Sequence, residues 1–318
     1  MELCCPYCKR SAINKKGKRK EKQGTNQKYY CKLCRKTFVQ RECKNKTYSA
    51  EVIRDAITFY NQGFTLEETT KALNKRFKRN ITKSSIQRWI KEYSAICTYM
   101  PLRTPLMKRY GKDSVVSKTF DYRGLAYNFK YHKGKLEVLG REYPSLVSFI
   151  RRCEAGCPLF FNAIENRCSQ LGLEVTIEKT VSVSENLVCR RAALALSNAE
   201  TKKKRHSLVE NFMLINDDIT VAVEVPVWLW EKNLKCSIAG HIDLIQISNG
   251  QVYILDYKPE AAQENERHVA SQLYLYASGL SFRTSIPLER IRCAWFDDSA
   301  YFEFEPTTAK VHYTKTIV

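Results

Sequence analysis

A chain of 318 residues exceeds the usual size of one domain, and 44% apolar residues suffice to bury at least one full core. No run of about 18 apolar residues occurs, and Met1-Glu2-Leu3-Cys4 does not open a secretory signal, so a soluble, intracellular protein is expected, cytoplasmic or nucleoid-associated, with no membrane partner. The net charge of +20 is uneven: residues 1–118 hold 29 Lys and Arg against 9 Asp and Glu, and the remainder is balanced at 24 against 24.

Such a basic block attracts polyanions by neutralising phosphates and releasing counterions, and its affinity should fall steeply with salt. DNA or RNA is the expected partner; a merely solvated basic face is the bland alternative. Thirteen cysteines would suggest disulfides in a short secreted chain, but only four stand in paired spacing, which favours thiols and a metal site.

Cys5-Pro6-Tyr7-Cys8 and Cys31-Lys32-Leu33-Cys34 are two CxxC pairs separated by 22 residues. Each can supply two thiolates from a tight knuckle, and four thiolates satisfy tetrahedral Zn²⁺. A Lys-rich stretch of about 40 residues cannot otherwise build a core. Cys4 could replace Cys5, and Cys43 is a weaker ligand. Between the knuckles, Lys15-Lys16-Gly17-Lys18-Arg19-Lys20 reads as a hairpin tip carrying basic groups toward phosphate. The arrangement resembles the zinc ribbons at the start of insertion-sequence transposases, through Gln27-Lys28-Tyr29-Tyr30-Cys31 and Cys34-Arg35-Lys36-Thr37-Phe38.

From Ser49 the pattern turns helical, with Ser49 as N-cap, Val52, Ile53, Ala56, Ile57 and Tyr60 on one face, and Gly63 as the stop. Thr65 caps a second helix with Leu66, Thr69 and Leu73. Thr82 opens a third through about Tyr93, with Ile86, Trp89 and Ile90 inward. This predicts an all-α helix-turn-helix over 46–96, following a zinc ribbon over 1–45. The third helix would present Lys83, Ser84, Gln87, Arg88 and Lys91 outward for DNA binding, since Gln and Arg read adenine and guanine edges bidentately. Residues 97–118, with Pro101, Pro105, Gly111 and several basic residues, read as a linker.

Residues 119–200 carry weaker signals: a hairpin near Lys133-Gly134, then helices near 144–153, 158–171 and 186–199, together an accessory layer. Cys153 and Cys157 share a helix face and read as buried thiols. The Lys202-Lys203-Lys204-Arg205 run is either a solvated face or a DNA contact.

In Ser237–Lys258 two β-rich runs flank Asn249-Gly250, the strongest short-range signal for a two-residue hairpin. With Ser248 opposite Gln251, partners have numbers summing to 499, which sets Asp243 opposite Asp256 and His241 opposite Lys258. Period-two alternation puts all four on one face and Ile242, Leu244, Leu255 and Tyr257 on the other, packed one. Two carboxylates that close repel unless a cation lies between them, and hard oxygen ligands suit Mg²⁺ or Mn²⁺. A lysine beside them can position the water that attacks phosphorus while the ion stabilises the developing charge. An acidic hairpin neutralised by Lys258 is the competing, purely structural reading. Farther on, Glu264 to about Leu280 reads as a helix with Val269, Leu273, Tyr276 and Leu280 inward, and Gln272 and Tyr276 one turn apart.

These residues resemble the PD-(D/E)XK nuclease superfamily, in particular its RecB-like branch, over roughly 200–305. Gly240-His241-Ile242-Asp243 looks like that branch's Gly-x-x-Asp strand, Asp256-Tyr257-Lys258 its (D/E)-x-K, and Gln272 with Tyr276 its Gln-xxx-Tyr element, which the resemblance implies helps bind DNA. It further implies a restriction-endonuclease-like α/β core with a mixed central sheet within a nuclease domain over 119–318. The Tyr257 backbone carbonyl would be a further metal ligand, and a helix before the first core strand would supply an acidic group or histidine. His206 and Glu210, at i and i+4, fill that place, with Glu224 on the strand Thr220–Leu229 as the fallback. Several RecB-like members hold an iron–sulfur cluster through flanking cysteines, but after Gln272 this chain has only Cys293, so none is expected. The residues following Cys293 read as strands closing the sheet.

The leading reading is thus an Mg²⁺- or Mn²⁺-dependent deoxyribonuclease directed to DNA by its own zinc ribbon and helix-turn-helix, in a mobile-element or DNA-processing setting. A DNA-binding regulator with an inactive nuclease-like domain is the alternative, and an RNA-processing enzyme a third, disfavoured because A-form RNA does not admit a helix to its deep groove. Homo-oligomerisation and protein partners are left open.

Overall fold

A computed structural model describes residues 5, 8, 10–21, 24–39, 48–122, 124–169, 173–183, 185–197 and 204–313. Cys4, Cys43 and the Lys202-Lys203 half of the basic run lie outside them.

The N-terminal sheet joins β1 (Ile13–Glu21), β2 (Gly24–Cys31) and β3 (Thr37–Val39) in antiparallel order around Cys5, Cys31 and Phe38. The basic run 15–20 does not form the tip, because β1 stays paired as far as Glu21 opposite Gly24. Gly17 instead absorbs a register shift at φ 74°, and its carbonyl accepts from Gln27 Nε2 at 2.7 Å.

Three helices follow: α1 (Ala50–Asn61), α2 (Leu66–Phe77) and α3 (Lys83–Glu92). Ser49, Thr65 and Thr82 cap them through side-chain oxygens, and Thr65 with Glu68 forms a full capping box. Ile53, Ala56, Ile57, Leu73, Ile86 and Trp89 close their core.

Residues 97–118, expected as a linker, are built into the fold. Cys97 and Tyr99 are buried, α4 (Met100–Tyr110) follows, and Tyr99 N–H donates to the Asn216 carbonyl at 3.1 Å. The chain then enters the main sheet through the hairpin β4 (Val115–Tyr122) and β5 (Leu125–His132). Lys133-Gly134 is no hairpin: it begins α5 (Lys133–Leu139), where His132 Nδ1 accepts from Lys135 N–H. After α6 (Pro144–Ala155), the helix expected near 158–171 is replaced by a 3-10 turn at Leu159–Ala163 and β6 (Asn166–Arg167). Then come β7 (Leu173–Thr176), β8 (Lys179–Val183) and α7 (Leu187–Ala195).

The remaining elements are α8 (Arg205–Asn216), β9 (Thr220–Glu231), β10 (Cys236–Ser248), β11 (Gln251–Tyr257), α9 (Glu266–Thr284), β12 (Ile291–Phe296), β13 (Ala300–Phe304) and β14 (Lys310–Tyr313). The main sheet runs β4-β5-β9-β10-β11-β12-β13-β8, with β6 beside β10; β14 pairs with β7 separately. Most pairs are antiparallel, but β11 and β12 are parallel, as are β6 and β10, and α9 is the crossover that a parallel neighbour requires. This mixed α/β core is consistent with a restriction-endonuclease-like fold. It reaches beyond 200–305, since β4, β5 and β8 come from the stretch expected to be an accessory layer, and β8 rather than β13 ends the sheet.

Two cores flank the sheet. One packs α9 and α6 through Val269, Leu273, Leu280 and Phe149. The other, centred on Val209, Phe212, Leu244, Leu255 and Tyr257, is continuous with the core of α1–α3. No helix among the described residues is long and apolar enough to cross a membrane.

Candidate active site

Asn249 and Gly250 take φ of 50° and 65°, the left-handed pair that a tight antiparallel turn between right-twisted strands needs. The β10–β11 ladder accordingly runs from Ser248–Gln251 to Leu244–Leu255, the register summing to 499. Beyond Leu244 it opens: Asp243 Oδ2 accepts the Tyr257 backbone N–H at 3.0 Å.

On its other edge β10 pairs with β9 through Ile242–Val225 and Leu244–Val223, which leaves Asp243 across from Glu224. Glu224 has φ 51°, and Ile242 and Val225 pack in the α9-side core while Leu244 and Val223 pack in the α8-side core. Simple alternation therefore breaks at Asp243 and Glu224, and Ile242 does not share a face with Leu244 as period two would require. The break turns acidic side chains of both strands toward the N-terminal half of α8.

There His206 and Glu210, one turn apart, meet Asp243, with His206 Nδ1 at 3.4 Å from Asp243 Oδ2. One ligand atom from each of the three lies within 4.8 Å of the others. Asp256 is buried and paired with Lys258 Nζ at 2.7 Å. Burial and the neighbouring Asp243 charge push Asp256 up to about 7 against the pull of Lys258. Burial and Asp243 likewise push Glu224 up to about 7, and burial with Glu224 and Asp243 raises Glu210 well above the carboxylate range. Asp243 goes the other way: burial is outweighed by the hydrogen bond and charge of His206, with Lys258 adding to the pull. Three carboxylates with raised proton affinity crowded around the ionised Asp243 form a site that a cation would stabilise. Glu210 Oε1, buried with no hydrogen-bond partner among the described residues, adds a vacant oxygen donor. The donor set fits a hard divalent ion.

Lys258 is held from both sides, by Asp256 and by Gln272 Oε1, which accepts from its Nζ at 3.3 Å. Gln272 Nε2 in turn donates to Tyr276 Oη at 2.8 Å, and both residues are buried. They thus reach Lys258 rather than an open surface. Gly240 lets this happen: a Cβ there would overlap Tyr276 Cε1.

His241 does not join Lys258. It faces β5, stacked on Tyr127 at 3.6 Å between ring centroids and edge-on to Phe161, and burial lowers its proton affinity to about 3. The reason is that the β10–β11 ladder ends at Leu244–Leu255, so the register that would set His241 opposite Lys258 is not kept there. Sequence reading overlooked Lys130, which no motif marks. From β5 it donates to Asn211 Oδ1 on α8 at 2.6 Å and lies in the field of Glu210 and Glu224.

Two further groups lie apart from this centre. The four sulfurs of Cys5, Cys8, Cys31 and Cys34 lie within 4.8 Å of one another, with Cys5–Cys34 and Cys8–Cys31 at 3.5 Å. A tetrahedral ion with bonds of about 2.3 Å sets its sulfurs about 3.8 Å apart, so this cluster is compatible with Zn²⁺. On α3, Lys83, Ser84, Gln87, Arg88 and Lys91 are all exposed, while Ile86 and Trp89 are buried and Ile90 half-buried. Lys83 is paired with Glu67 at 3.2 Å.

No curated protein and no solved structure matched the chain. Residues 151–306, which span the acidic cluster, Lys258, Gln272 and Tyr276, match the family described as the PD-(D/E)XK nuclease superfamily.

Proposed function

We propose that the chain is a metal-dependent deoxyribonuclease of the RecB-like kind, brought to duplex DNA by an N-terminal zinc ribbon over 1–45 and a helix-turn-helix over 46–96. The observation that carries the nuclease reading is the buried convergence of Glu210, Glu224, Asp243 and Asp256 beside Lys258, within the segment matching a nuclease superfamily.

Asp243 and Asp256 would hold Mg²⁺ or Mn²⁺, with Glu210, Glu224 or His206 and the Tyr257 carbonyl completing the ligand set. When bound, the ion polarises a phosphoryl oxygen and lowers the pKa of a bound water. Lys258, kept protonated by the Asp256 and Asp243 charges, presents an ammonium to the charge that grows on phosphorus. Gln272 fixes that ammonium, and Tyr276 fixes Gln272. The DNA-targeting part rests on the basic block of residues 1–118, the Cys₄ cluster and the exposed polar face of α3.

Incubation with linear and closed-circular DNA in Mg²⁺ or Mn²⁺ tests the reading. The wild type cleaves, and Asp256→Asn loses about 10²–10³-fold in rate, the share that metal-held charge stabilisation contributes. Absence of wild-type cleavage, or an unimpaired Asp256→Asn, rejects it. Circles left whole while linear DNA disappears identify an exonuclease.

A further inference from the structure

The recognition helices and the acidic centre are parts of one packed body. Val52, Ile53, Ala56 and Ile57 of α1 share a continuous core with Val209, Phe212 and Met213 of α8. Polar contacts lock the seam: Arg54 Nη1 donates to the Ala195 carbonyl at 2.9 Å, Asn61 Nδ2 to Asn216 Oδ1 at 2.9 Å, and Arg191 Nε to the Ile96 carbonyl at 3.0 Å. Asn216 Nδ2 donates to Thr58 Oγ1 at 2.9 Å, and the Asn216 carbonyl accepts from Tyr99 N–H. Arg54, Asn61, Arg191 and Asn216 are all buried, so the seam excludes water.

The helix at the seam is also the one that serves the acidic centre. Asn216 sits at the C-terminal end of α8, and His206 and Glu210 sit in its N-terminal half. We infer that the chain cuts duplex DNA at a fixed offset from the sequence read by α3, with α8 and α1 as the rigid spacer; the inference rests on the nuclease reading above. From His206 to Asn216 the helix spans about 15 Å at 1.5 Å per residue. The α8–α1 and α1–α3 packing distances add about 8–10 Å each. A total near 33 Å is on the order of 10 base pairs at 3.4 Å per pair, which places the cut within about one turn of the duplex.

The test uses the full chain, Mn²⁺ or Mg²⁺, and linear duplexes carrying a randomised segment between constant arms, with the cut ends sequenced. Cut fragments should share a short motif, and on each strand cuts should fall on one or two adjacent phosphates at a constant distance within about one duplex turn of it. The Asp256→Asn protein should footprint the same motif. In an Arg54→Ala, Asn61→Ala double variant the cut positions should spread to several phosphates. Cuts scattered relative to any motif, or advancing from the duplex ends, overturn the fixed offset and leave the nuclease reading standing. No cutting with either metal overturns both. The wild-type map decides even if the double variant fails to fold.

Discussion

Lys258 reaches its place by two different kinds of restraint. Asp256 attracts it by charge at 2.7 Å, and Gln272 orients it by a hydrogen bond, itself anchored on Tyr276. Removing the orienting bond should leave the charge in the site but loosen its aim. Gln272→Ala is therefore expected to lower kcat about 10-fold with KM and melting temperature near wild type, in the range seen when groups that orient catalytic ligands are lost. Gln272→Glu keeps an acceptor for Lys258 and should recover most of the rate; equal losses in the two variants would mean that Gln272 only fills space. Gly240 sets the same network by what it lacks. Gly240→Ala drives a methyl into the Tyr276 ring and should cost about 1–3 kcal/mol in urea unfolding, with kcat falling as Tyr276 and Gln272 shift. A variant of wild-type stability would show that Tyr276 can retreat without cost.

The helices and the β10–β11 hairpin were legible in the sequence because local chemistry specifies them. Ser49, Thr65 and Thr82 mark helix starts, and Asn249-Gly250 sets the hairpin register. For α2 the local device is also pH-sensitive. Glu68 accepts from Lys112 Nζ and from Thr65 N–H, and these bonds hold its carboxyl down to about 2. A carboxylate whose folded value is depressed contributes stability that is fully present above its unfolded value of about 4.3 and fades as pH falls toward 2. Wild type should thus melt above Glu68→Gln at pH 6, with the gap closing between pH 4.5 and 2; a pH-independent gap would assign the effect to packing. Long-range placement was not legible. The break at Asp243 and Glu224 depends on two strands distorting together, so alternation along β10 alone put His241 beside Lys258 and Ile242 beside Leu244. Lys130 enters the acidic centre from a hairpin 80 residues upstream of Glu210, and nothing in Asn128-Phe129-Lys130-Tyr131 announces it. Pro101 and Pro105 read as a linker, yet tertiary contacts on Tyr99 and Leu106 hold that stretch as helix α4 and its approach.

At the scale of the whole molecule, stability should follow the cores rather than the boundaries read from sequence. The α1–α3 core runs without a break into the α8 side of the main sheet, so opening either part exposes the other's apolar surface. The small sheet β1–β3 has its own core of Cys5, Cys31 and Phe38, with a thiol cluster in place of a sizeable apolar interior. Two thermodynamic units follow, one held by packing and one that a Zn²⁺ ion on the four thiolates would hold. In urea the fluorescence of a variant retaining only Trp89, which reports α3, should share its midpoint with the far-UV dichroism of the same variant, which reports chiefly the large unit. A strong Zn²⁺ chelator should leave that midpoint in place while releasing one zinc per chain and reducing salt-sensitive DNA binding, and Cys31→Ser should do the same without chelator. An earlier midpoint for Trp89 would mean that helices α1–α3 unfold by themselves. That result would also remove the rigid spacer on which a fixed cutting distance depends.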